Sequence, residues 1–181
     1  MTQSFIQRVA VIGAGAWGTA LARHLAEKQI SVCVWAHEPE VVQAIERRRE
    51  NVVFLPGVQL PSTLTATNHL SDALAEADCV IFAVPSHVAR LVLSQLSPHL
   101  SQSVPFVSAT KGIEETTLDL MTQVMQDVLP VHLRSSLMVL SGPSFASEVS
   151  QGKPTALCLA GQDAGAVKAI QALFMTPTFR V

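Results

Sequence analysis

The sequence has little charge and no long uninterrupted hydrophobic run. Asp, Glu, Lys and Arg together make up 14% of the 181 residues, whereas 49% of the residues are hydrophobic. No apolar run reaches the roughly 18 residues that a membrane-spanning helix requires, so we expect no membrane partner. Two interpretations of this composition stay open: a mostly parallel sheet whose strands are buried on both faces, or a domain that lacks a part that would cover it.

Strong basicity, metal-binding patterns and paired cysteines are also missing. The formal net charge of −2 gives no basic surface, so we expect no nucleic-acid partner. The histidines and cysteines follow no metal-ligand spacing, so we expect no metal site. Cys33, Cys79 and Cys158 are far apart, and each lies in an apolar segment. We expect them to pack as small apolar side chains. Unpaired cysteines suit a reducing compartment, so we expect the protein to be cytoplasmic.

What the sequence does have is a regular alternation of short apolar runs and amphipathic stretches. This βαβ pattern predicts an α/β fold, a doubly wound and mostly parallel sheet with helices on both faces. The predicted strands are residues 8–12, 31–36, 79–84, 104–109, 137–141 and 156–160. The predicted helices are residues 17–28, 40–49, 71–77, 88–96, 116–129, 145–151 and 163–174. Residues 51–67, which contain Pro56, Gly57 and Pro61, are predicted to form an irregular surface excursion.

The stretch VAVIGAGAWGTALA, residues 9–22, could be a secretory signal or a strand, a turn and a helix. Gly13, Gly15 and Gly18 interrupt the hydrophobic run, and the next strand follows at a normal βαβ distance, which argues against a signal. We interpret the stretch as a G-x-G-x-x-G turn that binds a dinucleotide. Its glycines allow the tight turn, the approach of backbone amides to a pyrophosphate, and close packing of helix on strand.

The end of the second predicted strand bears on the choice of coenzyme. An NAD-specific site usually has Asp or Glu there to accept hydrogen bonds from the ribose 2′-hydroxyl. This chain has His37, which can donate to a 2′-phosphate, so the sequence favours NADP(H) and allows NAD(H). Two alternatives stay open: Glu38 reaches back, or His37 is a solvated loop residue. Trp17 either lies beside the pyrophosphate or ribose, or packs the first helix on the sheet.

Further candidate residues follow the later strands, because ligands of open α/β sheets bind outside the carboxyl ends of the strands. Pro85 ends the third predicted strand, and Ser86 either caps the next helix or contacts the nicotinamide side. Lys111 follows the fourth strand and is predicted to face the crevice, where it could bind substrate or coenzyme. The alternative is a lysine whose charge simply lies in solvent.

The fifth predicted strand is followed by LSGPSFASEVSQGKPTA. Gly142 and Pro143 force a tight turn, and Ser144 and Ala146 lie at the start of a helix whose amides could bind a second anion. No G-x-S-x-G motif surrounds Ser144, so it is not expected to be a hydrolase nucleophile.

Five motifs follow one another along the chain: GAGAWGTALA, FLPGVQLP, AVPSH, SATKGIE and LSGPSFASEVSQGKPTA. With them, the sequence resembles the bacterial NAD(P)-dependent sn-glycerol-3-phosphate dehydrogenases over essentially its whole length. The resemblance implies a Rossmann-like domain that uses NADP(H) or NAD(H). It also implies reversible hydride transfer to dihydroxyacetone phosphate, which gives sn-glycerol 3-phosphate for phospholipid synthesis. By position, it implies coenzyme contacts at Ala16, Trp17, His37, Lys111 and Ala146, and substrate contacts at Lys111, Gly142 and Ser144.

The resemblance also implies a second domain. In the family, an all-helical domain holds the principal catalytic lysine and groups that bind the substrate phosphate. We therefore expect residues 1–181 to form one coenzyme-binding domain, with the helical domain absent after Val181 and a homodimer possible for the full-length protein. Two other functions stay open: a stand-alone dinucleotide-sensing module, and a different dehydrogenase of the β-hydroxyacid type.

Overall fold

The computed structural model describes residues 6–181. Its elements in chain order are β1 (Arg8–Ile12), α1 (Ala16–Glu27), β2 (Ser31–Trp35), α2 (Pro39–Arg48), β3 (Glu50–Asn51), β4 (Leu55–Gln59), β5 (Leu64–Thr67), α3 (Leu70–Leu74), β6 (Cys79–Phe82), α4 (Ser86–Leu96), β7 (Phe106–Ser108), α5 (Met121–Val128), β8 (Leu137–Ser141), α6 (Ala146–Ser150), β9 (Thr155–Ala156), β10 (Cys158–Gly161), α7 (Ala164–Phe174) and β11 (Phe179–Arg180). Short 3-10 helices at Ser97–His99 and Val131–Ser136 follow α4 and precede β8.

The main sheet of the described chain has seven strands in the order β10, β8, β7, β6, β1, β2, β5. Strand β10 pairs antiparallel with β8, and the other neighbours in this sheet are parallel. Parallel neighbours require crossover connections, which explains why strands and helices alternate along the sequence. The predicted doubly wound, mostly parallel sheet is confirmed.

The core consists of two apolar layers, one on each face of this sheet. Successive side chains of a strand point to opposite faces, so Val9 and Val11 of β1 lie in one layer, and Ala10 and Ile12 lie in the other. The first layer contains buried residues of α1, α2 and α7, and the second contains buried residues of α3, α4 and α5. Burial of the strands on both faces accounts for much of the apolar composition.

Residues 51–67 are more regular than predicted. Strand β4 pairs antiparallel with β3 in a short hairpin. Strand β5 extends the main sheet, parallel to β2, with Leu64 opposite Val32. The prediction of an irregular excursion is therefore wrong for β4 and β5. The sequence of β5, Leu-Thr-Ala-Thr, is short and half polar because the strand lies at the sheet edge, so it lacks the apolar run that marks the central strands.

Two other elements differ from the predicted ones. Helix α5 begins at Met121 because the chain turns at Leu118 (φ +62°) and Gln123 Oε1 accepts a hydrogen bond from the amide of Leu120 at 2.9 Å. The predicted strand at 156–160 is divided into β9 and β10 at Leu157, whose side chain is buried. The other predicted elements end within a few residues of the observed ones.

The three cysteines have different surroundings. Cys79 is buried in β6 and Cys33 is half-buried in β2, as expected for small apolar side chains. Cys158 is exposed, so the prediction of interior packing is wrong for this residue, because β10 lies at the edge of the sheet. Burial raises the pKa of the Cys79 thiol, which makes it unreactive.

Within residues 6–181, no helix has both the length and the apolar character that a membrane span needs; α1, the longest, has 12 residues. In the same range, no group of three or more His, Cys, Asp or Glu side chains is arranged to hold a metal ion.

Candidate functional site

The candidate residues lie along one edge of the main sheet. Because β1, β2, β6, β7 and β8 are parallel, the segments that follow them meet at the same edge, called here the carboxyl edge. Gly13, His37, Pro85, Lys111 and Gly142 follow these five strands. The other candidates lie in or next to the helices that start from this edge, namely Gly15, Ala16, Trp17, Gly18, Ser86, Ser144 and Ala146.

The turn between β1 and α1 requires glycine at two of its three positions. Gly13 has φ +111°, and a Cβ there would lie 2.6 Å from the carbonyl oxygen of Ala83. A Cβ on Gly18 would overlap the carbonyl oxygen of Gly13, so α1 approaches the turn closely only without a side chain at Gly18. At Gly15, by contrast, no heavy atom of the described chain other than those of Gly15 and its two neighbours lies within 4 Å of the Cβ position. The turn is therefore packed on its inner side and open at Gly15.

The start of α1 has the geometry of an anion site. Gly15 is the N-cap, and its amide donates to no acceptor within residues 6–181. The first amides of a helix have no acceptor inside the helix, and they carry a partial positive charge. The first turn of α1 contains no acidic residue that would cancel this charge. A diphosphate fits here, because donors and an approach free of side chains occur together.

Lys111 joins the end of β7 to the turn after β8. Its ammonium donates to the carbonyl oxygen of Ser144 at 2.9 Å and to Ser144 Oγ at 3.2 Å. The same ammonium lies 5.3 Å from the centre of the Trp17 ring, which is a cation–π contact. Lys111 is exposed yet held at the carboxyl edge. It is therefore not the freely solvated lysine that was the alternative.

Trp17 lies at the start of α1 and packs toward the sheet. Its indole Nε1 donates to the carbonyl oxygen of Ala109 at 3.1 Å, so it ties α1 to the end of β7. Trp17 thus packs α1 on the sheet, and its contact with a pyrophosphate or ribose stays a prediction. Its ring also lies next to the Lys111 ammonium, at the same edge as the glycine turn.

Pro85 and Ser86 begin α4 on the carboxyl edge. Pro85 is the N-cap, Ser86 is the first helical residue, and no side chain makes a capping hydrogen bond. The capping interpretation of Ser86 is therefore wrong, because Pro85 occupies the capping position. A Cβ added to Gly112 would lie 3.1 Å from Ser86 Oγ, so this hydroxyl lies beside the residue that follows Lys111.

The turn after β8 brings the two substrate candidates together. Gly142 has φ +153°, and a Cβ there would lie 2.9 Å from Leu157 Cδ2. Ser144 is buried, and its hydroxyl lies 3.4 Å from the carbonyl oxygen of Gly142. Helix α6 then begins at Ala146 and packs on α1. Gly142, Ser144 and the ammonium of Lys111 thus form one cluster.

His37 lies apart from this cluster, at the end of β2. Its side chain is exposed, and its ring centre is 6.2 Å from that of Trp35. Glu38 is the N-cap of α2, and its carbonyl oxygen accepts from the amide of Val41 at 3.1 Å. Because β2 is the neighbour of β1, His37 and the glycine turn lie at adjacent strand ends.

A partly buried ion pair that no sequence pattern indicates joins Arg90 of α4 to Glu114, which follows Lys111 in the chain. The carboxylate of Glu114, which is 7% exposed, accepts from Arg90 Nε at 2.8 Å and Arg90 Nη2 at 2.9 Å. It also accepts from Thr117 Oγ1 at 2.6 Å. The hydrogen bonds from Arg90 and Thr117 lower the pKa of Glu114. This pair holds the loop after Lys111 against α4, and no periodicity marks it, because its members lie 24 residues apart in different elements.

A doubly wound sheet with a G-x-G-x-x-G turn between β1 and α1 defines a Rossmann-type domain of the dinucleotide-binding class. Residues 8–167 match the family described as NAD-dependent glycerol-3-phosphate dehydrogenase N-terminus. The chain belongs to this family, which confirms the resemblance seen in its motifs.

Curated relatives of the chain are bacterial proteins named glycerol-3-phosphate dehydrogenase (NAD(P)+). It is 46% identical over 177 residues to the glycerol-3-phosphate dehydrogenase (NAD(P)+) of Koribacter versatilis, an alignment that covers 97% of this chain. It is 47% identical over 175 residues to that of Geobacter metallireducens. Each alignment covers 52% of the relative, so the chain spans about half the length of the curated relatives it matches.

Two solved structures that are similar to this chain are also glycerol-3-phosphate dehydrogenases. The crystal structure of glycerol-3-phosphate dehydrogenase from Coxiella burnetii is 31% identical and has a TM-score of 0.90. The similarity covers 98% of this chain and 53% of that one. The yeast glycerol-3-phosphate dehydrogenase of Saccharomyces cerevisiae is 29% identical with a TM-score of 0.83, covering 96% of this chain and 55% of that one.

Proposed function

We propose that this chain is the coenzyme-binding part of an enzyme that interconverts dihydroxyacetone phosphate and sn-glycerol 3-phosphate, a precursor of glycerophospholipids. The proposed coenzyme is NADP(H) or NAD(H), which supplies the hydride chemistry when bound. One observation carries the proposal: the glycine turn, open at Gly15, shares the carboxyl edge with the cluster of Lys111 and Ser144. The turn provides for a diphosphate, and the cluster provides a cation beside it.

The chain's own groups would hold the coenzyme along this edge. The Gly15 amide and the first amides of α1, including that of Ala16, would donate to the diphosphate, while Gly13 and Gly18 keep the turn tight. Trp17 would border the diphosphate or ribose. Pro85, Ser86 and Ala146 lie at the starts of α4 and α6, which also begin at this edge, and we place the nicotinamide beside them.

We propose that NADPH is preferred over NADH. His37 is exposed at the end of β2, where an NAD-specific site usually has an acid. A histidine can donate to a 2′-phosphate and does not repel it, whereas a carboxylate at this position would repel it.

On the substrate side, Lys111 would bind an oxygen of the substrate. Its ammonium has three donors, of which at most two are directed at Ser144, so one remains for a carbonyl or phosphate oxygen. Gly142 and Ser144 would shape the adjacent wall, because Lys111 donates to Ser144 and the hydroxyl of Ser144 donates to the carbonyl oxygen of Gly142. Lys111 thus serves as the positioning cation for substrate and coenzyme.

We propose that turnover requires more than this chain. The family resemblance assigns the principal catalytic lysine and the phosphate-binding groups to a second, helical domain, with residues 1–181 as one coenzyme-binding domain. We place the whole enzyme in the cytoplasm, as a homodimer without a nucleic-acid, membrane or metal partner. The three cysteines, which form no disulfide, support a reducing compartment.

Calorimetric titration of the chain with NADPH and NADH tests the proposal. We expect one saturable site that binds NADPH more tightly than NADH. Lys111→Met should raise the Kd for NADPH about tenfold, because a charge-assisted contact is lost. Lys168→Met is the matched control, since Lys168 is an exposed lysine of α7, and it should leave the Kd unchanged. Absence of heat with either coenzyme from well-folded protein would refute the proposal.

A further inference from the structure

Asn51 is a polar side chain that is buried completely next to the glycine turn. Its amide nitrogen donates to the carbonyl oxygen of Ala14 at 2.7 Å and to Thr19 Oγ1 at 2.8 Å. Its amide oxygen accepts from the backbone amide of Phe54 at 3.1 Å. Buried polar groups need such partners, and a side chain with all of them satisfied is held in one orientation.

A second donor acts on the same carbonyl. Thr19, which is 1% exposed, has its hydroxyl 3.1 Å from the carbonyl oxygen of Ala14. Because this hydroxyl donates to Ala14, its oxygen is free to accept from Asn51, and the donors and acceptors of the three residues are consistent. Two donors therefore hold the Ala14 carbonyl in the interior of the domain.

Fixing this carbonyl also fixes the next amide. The peptide bond between Ala14 and Gly15 is planar and trans, so its C=O and N–H groups point in opposite directions. With the oxygen directed inward to Asn51, the N–H of Gly15 points outward. It is this amide that donates to no acceptor in the described chain, and its residue is the open position of the turn.

The chemistry of the contact requires an amide side chain. The nitrogen of Asn51 faces two oxygens and its oxygen faces an N–H, so each end has a suitable partner. An aspartate at this position would present an oxygen to the carbonyl oxygen of Ala14, and its charge would be buried without a cation. The amide is therefore matched to the glycine turn and is not replaceable by the acid of the same shape.

We propose that Asn51 is a positioning residue of the coenzyme site. Through Ala14, it aims the Gly15 amide at the diphosphate before the coenzyme binds, so that no reorientation of the peptide is needed. Asn51 also attaches the hairpin of β3 and β4 to the turn through the amide of Phe54. The inference rests on the proposed coenzyme binding and deepens it, since Asn51 itself does not touch the coenzyme.

Two pairs of variants test the inference: Asn51→Asp with Glu50→Gln as its control, and Thr19→Val with Thr19→Ser as its control. For each variant the Kd is measured for NADPH and for 2′-AMP, which lacks the diphosphate. We expect Asn51→Asp and Thr19→Val to raise the Kd for NADPH about tenfold, the effect of losing one well-directed hydrogen bond. The Kd for 2′-AMP should change less than about twofold, because the adenosine end does not use the Gly15 amide. Thr19→Ser keeps the hydroxyl and should bind NADPH as the wild type does.

Glu50→Gln is the control for the hairpin, since Glu50 accepts from the amide of Gly57 and does not contact Ala14. Its Kd for NADPH should stay at the wild-type value. If Asn51→Asp does not fold, the Thr19→Val and Thr19→Ser comparison decides. NADPH binding equal to that of the wild type by folded Asn51→Asp, or by folded Thr19→Val where Asn51→Asp does not fold, would overturn the inference, as would a parallel loss of 2′-AMP binding. Failure of the wild type to bind NADPH would instead overturn the proposed function.

Discussion

Gly15 and Gly18 belong to one turn, yet an added methyl group meets opposite surroundings at the two positions. At Gly18 it would overlap the carbonyl oxygen of Gly13, which is backbone and cannot move without breaking the turn. At Gly15 the backbone is extended (φ −61°, ψ 175°) and the space is open, so alanine fits the folded chain. At the residue scale, Gly18 therefore serves packing, and the open space at Gly15 is what the proposed coenzyme site requires.

Gly18→Ala should lower the free energy of unfolding by more than about 2 kcal/mol, because the helix must move away from the strand. Gly15→Ala should cost about 1 kcal/mol or less, the difference between glycine and alanine at an N-cap. The same variant should weaken NADPH binding at least about tenfold, since its methyl group blocks the diphosphate. Urea unfolding and calorimetry measure both quantities. Wild-type NADPH affinity in Gly15→Ala would contradict the assignment of the turn.

The spacing of the glycines could be read from the sequence, and their roles followed from it. The partners of Asn51 could not, because an asparagine that follows the charged residues 46–50 has the same appearance in an exposed loop as in a buried network. Its contact with Ala14 joins residues 37 positions apart, and only the folded chain brings them together. The roles of Lys111, Ser144 and the other site residues stay predictions until binding is measured.

At the element scale, α1 holds the carboxyl end of α7. The ring nitrogen Nε2 of His24 lies 2.7 Å from the carbonyl oxygen of Phe174, and its ring stacks on Phe179 with 4.3 Å between ring centres. The ammonium of Lys28 donates to the carbonyl oxygens of Leu173 and Met175. The last carbonyls of a helix lack partners within the helix, so these side chains stabilise the end of α7.

His24 makes this contact sensitive to pH. Burial lowers the pKa of His24 below its ordinary value, so the folded state favours the neutral ring. The unfolded chain takes up a proton at about pH 6.5, and the free energy of unfolding should therefore fall as the pH decreases through that value. The fall should end below the lowered pKa of the folded state, where His24 is protonated in both states.

His24→Gln removes this titration and keeps a donor near the carbonyl oxygen of Phe174. Urea unfolding at about pH 7.5 and about pH 5.5 should show a larger loss of stability for the wild type than for the variant. An equal loss in the two proteins would show that His24 does not contribute to the pH dependence.

Sequence patterns predicted the central elements well and the edges less well. Strands β1 and β6 are short apolar runs because both of their faces are covered, which makes them easy to recognise. Strand β5 has one neighbour in the sheet, and the start of α5 depends on a turn at Leu118. Such features depend on partners elsewhere in the chain, so periodicity alone did not reveal them.

At the scale of the whole molecule, the site lies on the surface of the described chain. Lys111 is exposed, and Phe145, next to the buried Ser144, is 69% exposed. Hydride transfer to a carbonyl benefits from a site closed to water, with a proton donor at the carbonyl oxygen. In the proposed enzyme the carboxyl edge would hold the coenzyme, whereas Lys111 and Phe145 are exposed to solvent in the described chain.

The chain alone should therefore bind NADPH but oxidise it very slowly with dihydroxyacetone phosphate. We expect a kcat at least about 1,000-fold below that of a full-length relative, because the proposal assigns the general acid and the enclosure to a second domain. The loss of NADPH absorbance measures this rate, with the full-length enzyme of Geobacter metallireducens as the comparison. Turnover near that of the full-length enzyme would contradict the proposed division of labour.

By itself, the sequence determined the alternation of buried strands and helices, the glycine turn and the family, because these are patterns and motifs of neighbouring residues. Only the tertiary structure decided which distant residues meet. The contacts that it revealed are Asn51 with Ala14, Lys111 with Ser144, Arg90 with Glu114, and β5 with β2. Their stability depends on burial and on exact donor–acceptor partners, and residues far apart in the chain acquire both only when the sheet and its helices have assembled.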